Sequence, residues 1–336
     1  MRGESARAGF RRPIIAGVRP LAGLVGSVLA LALPSSAVAD TLPVPWTAGE
    51  GIQAQAVRAN APPAGANDWT CEPTRRHRNP VVLVHGLAAN RTVNWSTMSP
   101  FLANRGYCVY ALTYGVRESV DLGFYQPGGM NRMQRSARQL KRFVARVLDA
   151  TGARKVDIVG HSQGSLMPNH WVKFLGGARR VDDYIGVTPL WDGTNLAALG
   201  TLAEINEAIS GALGVPPLAY EALEPYCASC RQFVKGSPFI ERMSSGGGPA
   251  VDGVDYTMIM TRNDELVVPY TSGWMPGADN HIVQRECALD QSEHLSIIFD
   301  PVTAGLIQNA LDPKRAEPMP CTLVLPFVGA AGYEGA

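Results

Sequence analysis

A serine, Ser162, lies between Gly160 and Gly164 in the sequence GHSQG. Glycines at these two positions allow a strand to turn sharply into a helix, because side chains there would collide with the neighbouring backbone. The apolar run 155–159 predicts the strand, and residues 165–175 predict the helix. We therefore predict that the turn lifts the Ser162 hydroxyl clear of a sheet, where it can act as a nucleophile.

A serine hydroxyl is a weak nucleophile at neutral pH, so it needs a base and a carboxylate that orients the base. With this type of turn the three residues follow one another as serine, acid and histidine. Three histidines follow the serine, and packing or exposure explains His170 on the predicted helix and His281 at the start of a strand. His294 lies in the polar loop 290–295 after the last predicted strand, and we predict that it is the base.

The acid is expected between the serine and the predicted base, in a loop at the carboxyl end of a strand. Asp264 meets this requirement, because it follows the predicted strand 256–260. Its neighbour Glu265 is the alternative. Asp290 and Glu293 are close to the histidine in sequence and could also orient it.

Attack on a carbonyl group creates an oxyanion, which needs hydrogen-bond donors aimed at it. We predict that one donor is the backbone N–H of Gln163, at the start of the helix, where N–H groups lack partners. The second is the backbone N–H of Leu87, in the turn after the first strand, which Gly86 allows to bend. His85 and His161 are predicted to be packed residues of these two turns rather than proton carriers.

Apolar strands alternate with helical segments from residue 80 onward, which is typical of a mostly parallel sheet with helices on both faces. Apolar residues recur every three or four positions over 133–148, so a helix is predicted there, ending at Gly152. The segment 191–254 interrupts the alternation, and we predict that it lies over the carboxyl edge of the sheet and shapes a cleft. The predicted strands are Val81–Val84, Cys108–Leu112, Lys155–Val159, Tyr184–Val187, Tyr256–Met260 and His281–Gln284.

The chain begins with a pattern typical of an export signal: arginines, then the apolar run 21–33, then small residues up to Ala39. The run is too short to span a bilayer, so we predict a signal peptide cleaved after Ala39, a secreted protein and no membrane span in the mature chain. Residues 40–79 are predicted to form an extended arm, 80–315 the catalytic domain and 316–336 a tail.

Without residues 1–39 the chain carries 25 Lys and Arg against 28 Asp and Glu, a formal net charge of −3. This balance gives no indication of nucleic-acid binding. An apolar share of 46% is sufficient for a large core and excludes a disordered protein.

All six cysteines lie beyond residue 39, and their even number predicts three disulfide bonds in an oxidising compartment. Cys227 and Cys230 have the CxxC spacing of redox sites, zinc sites and local loop staples. A redox site would open a helix after a thioredoxin-type strand, and a zinc site would need a second pair of ligands. We therefore favour the loop staple and predict no metal.

With these residues in place, the chain resembles the secreted bacterial triacylglycerol lipases of the α/β-hydrolase superfamily and, more distantly, the fungal lipase B group. The likeness extends over residues 69–313 and is carried by blocks at 79–86, 106–112, 155–164 and 256–272. It implies an α/β-hydrolase fold with a mostly parallel sheet. The site residues that it implies are Ser162 as nucleophile, Asp264 as acid, His294 as base and the N–H groups of Leu87 and Gln163 as oxyanion hole, and the implied disulfide pairs are Cys71–Cys108, Cys227–Cys230 and Cys287–Cys321.

Two positions depart from the family that the chain resembles. Ser165 stands where many relatives have a second glycine after the elbow, and Leu87 stands where several have threonine. The second departure removes a hydroxyl donor and leaves the oxyanion to backbone N–H groups.

The expected function is that of a secreted serine ester hydrolase, a lipase that cleaves triacylglycerol or other lipid esters through an acyl-enzyme. It would act at a lipid–water interface and without a cofactor. A short-chain carboxylesterase or a polyester esterase would use the same triad. A non-catalytic binding protein on a hydrolase scaffold would lack a triad residue, and none is missing here.

Overall fold

The computed structural model describes residues 41–195 and 223–335 and has a six-stranded sheet at its centre. Its strands are β1 Val81–Val84, β2 Val109–Leu112, β3 Val156–His161, β4 Val181–Val187, β5 Asp255–Met260 and β6 Asp279–Ile282. They lie in the order β2-β1-β3-β4-β5-β6, and every neighbouring pair is parallel. The predicted α/β class is therefore confirmed. The last strand ends earlier than predicted, because Val283 already begins a short helix.

Helices connect the strands and cover the sheet. They are α1 Ala48–Val57, α2 Arg91–Asn94, α3 Met98–Asn104, α4 Met133–Thr151, α5 Gln163–Phe174, α6 Leu223–Tyr226, α7 Pro238–Ser244, α8 Val283–Glu286 and α9 Pro301–Leu311. The predicted helix over 133–148 is confirmed as α4. It ends at Gly152, whose φ of 67° is the left-handed conformation that glycine adopts at helix ends. Helix α5 begins two residues earlier than predicted, directly after Ser162.

The core is divided between the two faces of the sheet, because successive strand residues point to opposite sides. Val82 and Ile158 pack on the side of α4 and α5, whereas Leu83 and Val159 pack on the side of α3 and α9. Each large apolar side chain buried in this way contributes roughly 1.5–3 kcal/mol. Strands covered on both faces explain the continuous apolar runs in the sequence.

The N-terminal arm contains helix α1, which the sequence analysis did not predict. Thr47 and Glu50 form a capping box at its start: the Thr47 hydroxyl accepts the Glu50 N–H, and the Glu50 carboxylate accepts the Thr47 N–H. The Thr-x-x-Glu spacing was therefore a local signal for this helix.

Three disulfide bonds cross-link the chain, and they are the pairs that the resemblance implied. One joins the arm to the residue before β2, one closes the CxxC loop, and one holds the C-terminal tail beside α8. They are Cys71–Cys108, Cys227–Cys230 and Cys287–Cys321.

Two predicted segments lie outside the described residues. The signal peptide, 1–39, does so entirely, and the insertion 191–254 does so over 196–222, while α6 and α7 belong to its described part. Their assignments stay predictions. In the ranges that the structure describes, no helix is both long and apolar enough to cross a membrane.

Candidate active site

Ser162 occupies the sharp turn between β3 and α5. Its backbone angles, φ 55° and ψ −125°, are strained for a residue other than glycine. A Cβ on Gly160 would lie 2.1 Å from the Gly164 carbonyl oxygen, and one on Gly164 would lie 2.1 Å from the Val84 carbonyl oxygen. The two glycines therefore allow β1, β3 and α5 to approach one another closely behind the serine.

Three side chains form a chain of hydrogen bonds at the carboxyl edge of the sheet. His294 Nε2 lies 2.8 Å from Ser162 Oγ, and His294 Nδ1 lies 2.9 and 3.0 Å from the two carboxylate oxygens of Asp264. The side chains of His294 and Asp264 are 4% and 2% exposed, so solvent screens their interaction little. The structure thus brings together the residues predicted as nucleophile, base and acid.

Backbone groups hold the Asp264 carboxylate in place after the end of β5. Its Oδ1 accepts the N–H groups of Leu266 and Val267, at 3.0 and 2.7 Å. These donors stabilise the carboxylate and direct it towards Nδ1 of the imidazole. With the proton on Nδ1, Nε2 of His294 is free to accept the serine proton.

The electrostatics of the loop favour the protonated form of His294. Burial by itself would lower the pKa of His294, but the charge and hydrogen bond of Asp264, together with Glu265 and Glu293, raise it above its ordinary value. The imidazolium that forms when a base accepts a proton is therefore stabilised here.

The other acids considered in the sequence analysis make different contacts. Glu265 Oε2 accepts the backbone N–H of His294 at 3.3 Å. Glu293 and Asp290 accept backbone N–H groups of their own loop. Of the acids in the described ranges, Asp264 is the one hydrogen-bonded to the imidazole.

Two further histidines lie near the site as packed residues. His161 Nε2–H donates to the His294 carbonyl oxygen at 2.9 Å, and burial lowers the pKa of His161 to about 3. His85 stacks on Tyr114, and burial lowers the pKa of His85 to about 4. Both rings are therefore neutral at ordinary pH.

The remaining candidate histidines lie elsewhere. On α5, His170 packs against Phe174 and against Phe239 of α7. On β6, His281 Nε2 lies 3.0 Å from the Asp279 carboxylate. Packing and partial exposure account for them, in agreement with the sequence analysis.

The turn after β1 passes beside the elbow. A Cβ on Gly86 would lie 3.2 Å from the Cβ of Ser162, so Leu87 follows directly next to the serine. No acceptor in the described part of the chain binds the Leu87 N–H. Gln163 is the first residue of α5, so its N–H has no acceptor within the helix. Both N–H groups predicted as oxyanion donors are thus free beside the elbow.

Two side chains that the sequence analysis did not select connect these turns. Asn94 Oδ1 accepts the Gly86 N–H at 3.0 Å and lies 3.0 Å from His161 Nδ1. The Gln163 side chain donates to the Gly129 carbonyl oxygen at 2.8 Å. No local pattern marks either link, because each joins residues that only the fold brings together.

One group of acids in the described ranges has the spacing to hold a metal ion. It consists of Asp157, Asp182 and Asp183, near the starts of β3 and β4 and at the opposite edge of the sheet from the elbow. The Asn79 amide bridges Asp157 and Asp182, and Lys155 Nζ lies 2.6 Å from Asp182. Side chains of the protein itself therefore already act as donors to these carboxylates.

A parallel sheet, a strained serine between a strand and a helix, and an acid and a histidine in loops after later strands define an α/β-hydrolase. Aspergillus fumigatus lipase B has a similar fold, with a TM-score of 0.55 and 19% identity over 77% of this chain and 56% of that one. The chain belongs to the class 2 lipase family, which it matches over residues 78–305.

Two bacterial triacylglycerol lipases are similar to part of the chain. Those of Pseudarthrobacter phenanthrenivorans and Burkholderia plantarii are each 39% identical to it over 94 residues, which is 26% of this chain. The matches span 26% and 24% of the two relatives, so the chain aligns with about a quarter of each.

Proposed function

We propose that this protein is a secreted lipase that cleaves triacylglycerol or related lipid esters through a serine acyl-enzyme. The observation that carries the proposal is the hydrogen-bond chain from Asp264 through His294 to Ser162 at the strained elbow. The lipase family and the two similar triacylglycerol lipases support the substrate class.

In the first step of the proposed mechanism, His294 Nε2 accepts the hydroxyl proton of Ser162 while Oγ attacks the ester carbonyl carbon. Asp264 stabilises the imidazolium, which then gives its proton to the departing alcohol, and the acyl group stays on Ser162. In the second step a water molecule gives a proton to His294 and attacks the acyl carbon. The bond between this carbon and Ser162 Oγ then breaks, His294 returns the proton to Oγ, and the carboxylic acid is released.

The oxyanion formed in both steps would be bound by the N–H groups of Leu87 and Gln163. Gln163 opens α5, where the helix dipole favours negative charge. Leu87 offers no side-chain hydroxyl, so this oxyanion hole consists of backbone donors. Loss of one oxyanion donor typically lowers kcat by about 10²–10³.

The disulfide bonds support secretion. Disulfides persist in oxidising compartments and are rare in the cytosol. All three lie after the predicted signal peptide, and two of them close loops of 37 and 34 residues. A secreted enzyme with a signal peptide that ends at Ala39 is consistent with both observations.

Labelling with a fluorophosphonate probe tests the nucleophile, because such probes modify activated serines covalently. We expect the purified protein to carry one label, located at Ser162 by mass spectrometry of its peptides. The Ser162→Ala variant should not be labelled, whereas Ser119→Ala, which changes an exposed serine, should be labelled as the wild type is. Absence of label on the folded wild type would contradict the proposal.

Hydrolysis of esters with graded acyl-chain lengths tests the substrate class. A lipase should cleave long-chain esters and emulsified triacylglycerol. If hydrolysis stops at short acyl chains, the protein is a short-chain esterase, and the lipase part of the proposal is wrong.

A further inference from the structure

Two glutamates, Glu265 and Glu293, lie beside the proposed base in addition to its partner Asp264. Glu265 Oε2 accepts the backbone N–H of His294, and its other oxygen, Oε1, is buried without a donor in the described part of the chain. Glu293 precedes His294 in the chain and is 4% exposed. The proposed mechanism uses neither glutamate, although both act on the imidazole electrostatically.

The two glutamates differ in the donors that surround them. Glu293 accepts three backbone N–H groups, from Leu295 and Ser296 at 2.7 Å each and from Phe327 at 3.0 Å, and such donors stabilise a carboxylate. Glu265 accepts one. Burial, followed by the charge of Glu293, raises the pKa of Glu265 to about 7, and a hydrogen bond between the two carboxyl groups adds to this shift.

A hydrogen bond between two carboxyl groups requires a proton on one of them. Glu293 accepts three backbone N–H groups and Glu265 accepts one, so the proton belongs on Glu265, the carboxyl group with fewer donors. If the proton is on Oε1 of Glu265, this buried atom is itself a hydrogen-bond donor. This explains why no donor of the described part of the chain is directed at it. The pair therefore holds one proton and one negative charge, as two carboxyl groups in close contact do.

We propose that Glu265 is a positioning residue for His294, which shares one proton with Glu293 and on losing that proton places an additional negative charge beside the base. The proposal rests on the proposed serine-hydrolase function. The proton leaves Glu265 for solvent, and no bond to the substrate forms or breaks. In the described ranges, the ionisable side chains facing Glu265 are Glu293 and His294, while Asp264 and His161 lie against His294.

The ionisation of Glu265 has a definite effect on the pH dependence. At acidic pH Glu265 is neutral in both the free enzyme and the transition state, so it does not alter kcat/KM. As the pH rises through the range in which Glu265 ionises, its charge stabilises the imidazolium of the transition state, and kcat/KM continues to increase. A charge within about 4–6 Å shifts a pKa by about 1–3 units, and we expect about one unit for this half-buried residue.

The Glu265→Gln variant reproduces the protonated state at every pH. The glutamine carbonyl can accept the His294 N–H, and its amide can donate to Glu293. We expect its kcat/KM profile for p-nitrophenyl acetate to coincide with that of the wild type at acidic pH. The profile of the variant should then level off about one pH unit below the pH at which the wild-type profile does, and its plateau should be about tenfold lower than that of the wild type. The displacement in pH units should equal the decimal logarithm of the ratio of the two plateaus. The reason is that the same charge acts on the imidazolium of the free enzyme and on that of the transition state.

Glu72→Gln is the matched control, since Glu72 is exposed and distant in sequence from the site, and its profile should follow the wild type. A Glu265→Gln profile that levels off at the wild-type pH, even at a lower plateau, would overturn the proposal, because a purely structural defect lowers the plateau without moving the pH at which it is reached.

Infrared difference spectra recorded between about pH 5 and about pH 9 provide a measurement that does not require activity. Carboxylic acids that lose a proton in this pH range, Asp157 among them, give the wild type a carbonyl band, and Glu265→Gln should lose the part of the band that Glu265 contributes. If the band of the variant is as intense as that of the wild type, Glu265 does not carry the shared proton. If the variant loses part of the band but the wild type hydrolyses no ester, the proposed function fails while the shared proton stands.

Discussion

Two groups of three acids lie at opposite edges of the central sheet, and their partners differ. The carboxyl-edge acids are Asp264, Glu265 and Glu293, and the amino-edge acids are Asp157, Asp182 and Asp183. The first group surrounds an imidazole that contacts a serine hydroxyl. The second group faces the side-chain amide of Asn79 and the ammonium group of Lys155. In the proposed mechanism only the first group assists proton transfer, because it lies beside both an imidazole and a serine hydroxyl.

The three amino-edge acids lie close together because the pairing of two strands is irregular. The register between β3 and β4 shifts next to Asp157, so that Asp182 and Asp183 both lie beside it. Asp157 Oδ1 accepts the Asp183 N–H at 3.2 Å and the Asn79 amide at 2.9 Å. Burial, followed by the charge of Asp183, raises the pKa of Asp157 to about 8, whereas the hydrogen bond from Lys155 lowers the pKa of Asp182.

Replacing one acid at each edge of the sheet should produce the largest difference in kcat between two variants. We expect Asp264→Asn to lower kcat by about 10⁴, because a neutral amide neither stabilises the imidazolium nor holds the required tautomer. Asp182→Asn, at the amino edge, should leave kcat within about twofold of the wild type. Steady-state kinetics with a soluble ester measure both. If Asp290→Asn loses activity while Asp264→Asn retains it, Asp264 is not the acid.

The Asp157→Asn variant should change stability with a definite pH dependence. The folded-state pKa of Asp157 lies above its unfolded value, so between about pH 4 and about pH 8 the folded wild type binds more protons and loses stability as the pH rises. Asparagine keeps an oxygen that accepts both hydrogen bonds and carries no charge. We expect the variant to gain on the order of 2 kcal/mol over the wild type between about pH 5 and about pH 8.

Urea unfolding at these two pH values measures this gain. A stability difference between the variant and the wild type that does not change with pH would show that Asp157 does not titrate in this range. The Glu50→Gln variant, which alters an exposed residue at the start of α1, serves as the control.

Of the substitutions considered, Lys155→Met should have the smallest effect, and this effect is on the free energy of unfolding. The Lys155 and Asp182 side chains are 35% and 46% exposed, so solvent screens their ion pair, and its loss should lower the free energy of unfolding by less than about 1 kcal/mol. Because Lys155 lowers the pKa of Asp182, this stabilisation exists above the unfolded-state pKa of about 4 and disappears as the pH falls below it. Unfolding in high salt should also remove it, and a loss unaffected by salt would contradict the ion-pair explanation.

Much of the fold and of the candidate site could be predicted from local patterns. The helix over 133–148 has a strict apolar spacing and a terminal glycine, and its observed end agrees with both. Helix α1 escaped prediction because its apolar pattern is weak and its capping box at Thr47 was not considered. The hydrogen bond from the Gly86 N–H to the Asn94 side chain could not be predicted, because no local pattern marks it.

The sequence by itself determined the elbow at Ser162, the chain order of serine, acid and histidine, and the parallel character of the sheet. These features depend on glycine spacing and apolar runs, which act over a few residues. Chain order and its place after a strand favoured Asp264 over Glu265, Asp290 and Glu293, but only the tertiary structure brings its carboxylate into contact with the imidazole, because the two residues lie 30 positions apart. It also decided that the pKa of His294 is raised while that of His161 is lowered, although their rings lie 5.2 Å apart. The reason is physical: burial acts on both rings, and a carboxylate bonded to His294 reverses its effect there.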